Sequence, residues 1–373
     1  MSQHAGVASQ PGMASVFEIV PGKNDQHEPI FAVVVKRTYS IHSDGTLHRS
    51  EADQPLRKID RYYEDGDPMW ATVQYESELA PYKPKIDVVV IGKAYAPGDQ
   101  PTSQMTVTIQ VGVKEKTIVV FGDRECEFHE NHPPRFTDPK PFTDMELRYE
   151  RAYGGKDEKS VPDIPFYYPR NDMGTGVVVK NIKEVVQGLP LPNLEDPGDL
   201  LTPERLILEE PERWPQMPVP QGCGWFQRTW YPRCCYAGTY PAYLDVETIT
   251  QEERLGLLPA HHMALAKQWK LPSFSARFHN GASVGLLFEE IAPEELIRLE
   301  GFSPTGPIQF RLPGETPTIV LDIGKGEQAL VAKLDTVQVR PDEGEVDLLW
   351  RGVLVYEGYS WLPKMKRLHA EVH

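Results

Sequence analysis

Residues with the types and spacing to do chemistry fall in a few places along this chain. Gly281-Ala-Ser-Val-Gly285 matches the G-x-S-x-G pattern that presents a nucleophilic serine, and Asp322 and His369 follow in hydrolase order. That chemistry needs a tight strand–turn–helix in a mostly parallel α/β sheet. The flanking chain reads antiparallel, and Leu286-Leu-Phe-Glu-Glu-Ile291 is a weak helix start, so Ser283 is not expected to act. Cys126, His129 and His132 have metal-ligand spacing, but a structural zinc needs a fourth ligand, which Cys223 or Cys234-Cys235 would have to bring from afar. A polar turn over 127–134 is the expectation, with no metal and no cofactor. Asp60, Asp65 and Asp67 miss the register of a calcium loop, and Gly174-Thr-Gly176 lacks the further glycine and helix start of a phosphate loop.

The densest polar set lies at 120–155. Val120-Phe-Gly-Asp-Arg124 and Met145-Glu-Leu-Arg-Tyr-Glu-Arg-Ala-Tyr-Gly-Gly155 bring together Asp123, Arg124, Arg148, Glu150 and Arg151. Asp123 and Glu150 are the best carboxylate pair for a glycosidase. The three arginines beside them would lower both pKa values, which suits a salt-bridged corner better than a general acid. A second run, Trp225-Phe-Gln-Arg-Thr-Trp-Tyr231, supplies Trp225, Arg228 and Trp230, residue types enriched at interface hot spots. Core packing accounts for them equally well. These eight residues are the candidate binding set, and no residue is assigned a catalytic role.

The elements that must position these groups read as strands. Phe31-Ala-Val-Val-Val-Lys-Arg-Thr-Tyr-Ser-Ile41 alternates with Phe31, Val33, Val35, Tyr39 and Ile41 on one face. Arg37 shares that face and must reach a sheet edge or a carboxylate. Ile86–Ile91 reads as a strand buried on both faces, with Asp87 inside it. Met105–Val113 and Thr117–Phe121 form a hairpin turning at Lys114-Glu115, with Val113 inward. Thr250 with Glu253 is a capping box for a short helix, a second helix is expected around Met263–Trp269, and Pro293–Leu299 reads as another. Four strands, Ile308–Leu312, Thr318–Ile323, Ala329–Val339 and Glu345–Tyr356, are expected as an antiparallel meander.

Length and composition bound the fold. A chain of 373 residues exceeds one ordinary core, and 35 prolines favour short strands and loops over bundles. The expectation is a mainly β protein of antiparallel sandwich or barrel-like units with a Pro-rich crossover and a few short helices. Residues 1–13 read as disordered, 14–185 as an N-terminal β domain, 186–222 as a linker or surface belt, and 223–373 as a C-terminal β domain. A net charge of −15 disfavours nucleic acid and anionic membrane and would suit a basic partner. The first residues lack a secretory signal, no apolar run reaches the ~20 residues of a membrane span, and four sparse cysteines suit a reduced, cytoplasmic setting.

Several runs in collinear order resemble the DUF2169 family, found with bacterial type VI secretion systems. They are Phe31–Tyr39, Pro84–Gly92 with Tyr95–Gly98, Val120–Arg124, Tyr149–Gly155, Leu191–Glu195 and Gly238-Thr-Tyr240. The chain departs from the family pattern at Cys126, Pro241 and Leu271–Phe274. The resemblance implies a cytoplasmic, non-enzymatic adaptor or chaperone. Its partner would be a type VI secretion effector, often with a PAAR spike-tip domain, or a spike protein, and it would aid loading onto the spike. The rival readings are a β-scaffold hydrolase, either glycosidase or serine hydrolase, and a carbohydrate-binding module.

Overall fold

The computed structural model describes residues 16–24, 26, 28–51, 54–63, 71–161, 164–237, 274–322, 326–355 and 367–372. Val16–Lys23 (β1), Pro29–Ile41 (β2), Leu47–Arg49 (β3) and Ile86–Val90 (β4) open the chain. The expected hairpin follows as Gln104–Val111 (β5) and Lys114–Phe121 (β6), and then come the two-residue strands Leu194–Glu195 (β7) and Leu287–Phe288 (β8). Leu296–Glu300 (β9), Ile308–Arg311 (β10) and Pro317–Asp322 (β11) lead to Glu327–Arg340 (β12), Glu345–Val355 (β13) and Arg367–Val372 (β14).

Among the described residues, nine of these strands form one sheet. Its order is β1-β2-β13-β12-β11-β14, with β3 also on β2, β4 also on β12, and β8 on β4. A second sheet has the order β7-β6-β5-β9-β10, and neither closes into a barrel. The apolar faces of the two sheets meet in one core, where Phe31, Val33, Val35 and Trp350 face Val107, Ile109, Ile118 and Ile297. The mainly β, sandwich-like expectation holds.

The expected domain boundaries do not follow the sheets. Both sheets take strands from both ends of the chain, and β2 pairs with β13 from Ile30 opposite Val355 to Ser40 opposite Glu345. A strand as apolar as β2 buries its length only between neighbours, and β13 is the neighbour that fits. The halves 14–185 and 223–373 are therefore interleaved. Within residues 186–222, Leu191, Leu206 and Trp214 are buried with Tyr153, Phe166 and Tyr168 in a second core.

Three local expectations are corrected. Leu296–Glu300 is a strand, not part of a helix, because buried Ile297 and Leu299 alternate with Arg298 and Glu300, while Glu294 takes a φ of +56°. Val113 is fully exposed: Val111 pairs with Lys114, so Gly112 at φ +57° and Val113 make the two-residue turn. Ile308–Arg311 joins the second sheet through β9, leaving β11, β12 and β13 as the meander. The helices expected after Thr250 and around Met263–Trp269 lie outside the described residues, as do residues 1–13.

The Tyr-Gly-Gly run owes its glycines to backbone contact. Tyr153-Gly154 pairs in parallel with Thr175-Gly176, and a Cβ at Gly154, where φ is +151°, would stand 2.1 Å from the Asn171 carbonyl oxygen. Gly154→Ala is expected to cost on the order of 2–4 kcal/mol in urea unfolding. Gly224→Ala, where nothing lies within 4 Å of the new Cβ, should change stability by less than about 1 kcal/mol. Equal losses at both positions would contradict this account.

Candidate functional site

The polar set at 120–155 comes apart in space into internal ties. Arg124, buried, donates to the Pro192 carbonyl at 3.0 Å, forms an ion pair with Glu195, and lies 3.9 Å from the Phe121 ring centroid. Asp123 accepts from Asn193 Nδ2 at 3.1 Å and stands 3.5 Å from Arg151 Nη1. Glu150 turns elsewhere, taking the Thr72 backbone N–H and hydroxyl, each at 2.7 Å. Arg148 pairs with Glu146 at 3.1 Å over the Tyr63 ring. Among the described residues Asp123 and Glu150 share no hydrogen-bond partner. The expected ion-paired corner exists, but its acid is Glu195. Asn171, wholly buried, fastens it by donating to the Tyr149 and Tyr153 carbonyls.

The aromatic run is spent inside. Trp225 and Trp230 are 3% and 1% exposed. Trp230 donates its indole N–H to Asp172 at 2.8 Å and packs edge-on with Tyr149 and Phe226. Arg228 pairs with Asp60 and, at 3.1 Å, with Glu76. Glu76 also receives Arg233, whose Nη2 is 2.9 Å away. Core packing accounts for both tryptophans.

A larger polar feature escaped the sequence reading. The face of the first sheet turned away from the main core is buried and ionic. Lys36 and Asp347 have no exposure, and Lys36 Nζ lies 2.7 Å from Glu78 and 3.4 Å from Asp347. Asp347 also takes the Thr38 hydroxyl at 2.7 Å, the Gln338 amide at 3.1 Å and the Arg340 guanidinium. Burial alone would raise the pKa of Asp347, but Lys36 and Arg340 outweigh it and hold the carboxyl below its ordinary range. Residues 54–63 and 71–85 close over this layer: Arg57 pairs with Glu78 at 2.6 Å, and the carbonyls of Glu78 and Ala80 accept from Arg351. At the β4 end, Asp87 accepts Lys83 at 2.6 Å and the N–H groups of Gly281 and Ala282. Trp225 joins through Gln338 at 3.3 Å. Successive apolar residues Val33-Val34-Val35 were the available signal that this second face is buried.

Arg37 meets the requirement set by its face: its Nη1 reaches Glu315 at 2.9 Å, which also accepts the Tyr39 hydroxyl at 2.6 Å. Ser283 does not meet Asp322, whose Oδ1 accepts from the Gly326 N–H. Its buried hydroxyl lies 3.0 Å from Lys116 Nζ and 2.8 Å from the Tyr149 hydroxyl. Lys116 also donates to the Val284 carbonyl at 2.6 Å, and burial lowers its pKa to about 8. Cys126 is buried in the second core, its thiol pushed by burial up to about 12, while the His129 and His132 rings stand 6.3 Å apart. Among the described residues no three His, Cys, Asp or Glu side chains converge as metal ligands. No helix among them is long and apolar enough to cross a membrane.

These features define a class: a mainly β protein with two large sheets, whose fingerprint charges tie its own loops together and whose central sheet carries a buried ionic layer. The chain belongs to the DUF2169 family, described as uncharacterized proteins conserved in bacteria, and residues 26–351 match its model. No curated protein and no solved structure matches the chain.

Two measurements test the electrostatics. Lys36→Ala leaves two buried carboxylates short of a cation and should cost about 3–5 kcal/mol in denaturant unfolding. Lys58→Ala, which breaks an exposed pair with Glu18, should cost less than about 1 kcal/mol; equal effects would refute the ionic-layer account. Lys116 binds its proton less tightly folded than unfolded, so the unfolded chain holds the extra proton between about pH 8 and 10.5. Wild-type stability relative to Lys116→Met should therefore rise with pH across that window, by up to about 3 kcal/mol. A flat difference would show that Lys116 is not desolvated.

Proposed function

We propose that this protein is a non-enzymatic adaptor or chaperone. It binds a type VI secretion effector, with its PAAR spike-tip domain where one is present, and helps load it onto the spike. The observation that carries this reading is the use made of the fingerprint charges. Arg124 is held by Glu195, Glu150 by Thr72, and Arg228 by Asp60 and Glu76. Side chains committed in this way build a scaffold and leave little for acid–base work. The collinear runs resemble a family found with type VI secretion systems, and a net charge of −15 suits a basic cargo.

A second reading, a serine hydrolase, has one observation in its favour: Lys116 stands within hydrogen-bond reach of Ser283, as a lysine base would. It requires the buried hydroxyl to become open to substrate. Labelling by a fluorophosphonate probe that is lost in Ser283→Ala would support it, and absence of labelling would remove it.

The adaptor reading is tested by affinity purification of the tagged protein from its own cells. An effector or spike component should be retained in near-stoichiometric amount, and deleting the adaptor gene should lower secretion of that effector at least tenfold. Purification of the protein alone, with secretion unchanged, would overturn the reading.

A further inference from the structure

Two histidines stand side by side on the solvent face of the hairpin formed by β2 and β3. Ser40 lies opposite His48 and Ile41 opposite Leu47, so strand alternation puts His42 and His48 on one face as diagonal neighbours. Both residues are exposed, and their rings stack with centroids 4.0 Å apart and planes inclined by 29°. The backbone beneath them is fixed from several sides. The His42 N–H donates to the Thr46 carbonyl and the Gly45 N–H to the His42 carbonyl, each at 2.9 Å. The Ile41 N–H donates to the Gly344 carbonyl at 2.7 Å, anchoring the chain just before His42. Gly45, at φ +82°, brings the turn against β10, where an added Cβ would stand 2.7 Å from the Gln309 carbonyl oxygen. Asp44 lies in the same turn. Its carboxyl is held below its ordinary range by the Thr46 hydroxyl and N–H and, to a smaller degree, by His42.

We propose that His42 and His48 form a two-histidine site for a divalent late transition metal, with copper(II) bound most tightly. Imidazole nitrogen suits copper, nickel and zinc, whereas magnesium and calcium take oxygen, and copper(II) heads the affinity order for such a ligand set. Metal–nitrogen bonds of about 2 Å ask for nitrogens roughly 3 Å apart. Rings stacked at 4.0 Å reach that separation by small rotations, which exposed side chains make freely. The fixed backbone keeps the two donors together before the ion arrives, so the second imidazole acts at high effective concentration. Asp44 adds a negative charge beside His42 that favours a cation. Among the described residues no third His, Cys, Asp or Glu converges with the pair, so water completes the coordination. A bound ion ties the three-residue β3 to β2. His129 and His132 offer a contrast, with rings 6.3 Å apart and inclined by 67°. The inference goes beyond the adaptor reading and does not rest on it.

The test titrates the full-length protein, carrying no histidine tag, with copper(II) chloride against a competing chelator of known affinity. Both side chains are exposed, so His42→Ala and His48→Ala leave the core intact and should fold as wild type. Each should bind its first copper at least tenfold more weakly, because chelation becomes attachment at a single point. His129→Ala should change that affinity less than tenfold. Pulsed electron paramagnetic resonance of the one-to-one complex should show the remote-nitrogen modulation of two coordinated imidazoles, and of fewer in either variant. The proposal is overturned if either His42→Ala or His48→Ala costs less than tenfold, or if His129→Ala costs tenfold or more. A wild-type spectrum with fewer than two imidazoles overturns it as well. Retention of an effector or spike component by a protein that fails these measurements would leave the adaptor reading standing while this one fell.

Discussion

Asp347 is a carboxylate with no solvent exposure in the middle of the central sheet, and much of the structure follows from keeping it charged. An isolated buried carboxylate is prohibitively costly, so β2 must bring Lys36 and Thr38, and β12 must bring Gln338 and Arg340, in register on the same face. Lys36 in turn needs Glu78, which fixes the path of residues 71–85 across the sheet. Glu78 then holds Arg57, and its carbonyl holds Arg351. Trp225 reaches the same layer through Gln338, so the loop carrying the aromatic run is located by a polar contact as well as by packing. A buried ion network of this kind is a weak source of net stability and a strict source of geometry.

How much of this could be read from the sequence depended on period. Strands with clean alternation, such as β5 and β6, and the Arg37 carboxylate requirement were legible because each follows from one local rule. Leu296–Glu300 was misread because Pro293 and two glutamates imitate a helix start, while the alternation that makes it a strand spans only four residues. The ionic layer was missed because alternation placed Lys36 on an outer face. No local pattern announces that residues 54–63 and 71–85 will cover it. Of the candidate site, the charged corner was visible and its partners were not: Arg124 answers to Glu195, 71 positions away. Pairings at that distance are set by topology, which a pattern read residue by residue does not contain.

The fingerprint runs take on a physical meaning in this light. Gly154 and Gly174 let backbones touch where a side chain would collide, and Asn171 and Asn193 tie loop to loop through their amides. Such residues keep the belt of 186–222 on its core. They give the molecule a fixed frame on which other surfaces can vary.

The pairing of β2 with β13 has a consequence for how the chain is made. Thr38 and Asp347 are 309 positions apart, so at ~5–20 residues per second β2 waits roughly 15–60 s on the ribosome before its neighbour is synthesised. For that interval a run of valines lacks the partner that later covers one edge, and a lysine lacks the aspartate that later neutralises it. Contacts of such long range also place the protein among slow folders. The nascent chain is thus a natural client of holding chaperones, and any truncation that removes the last strands deprives the first of their fold.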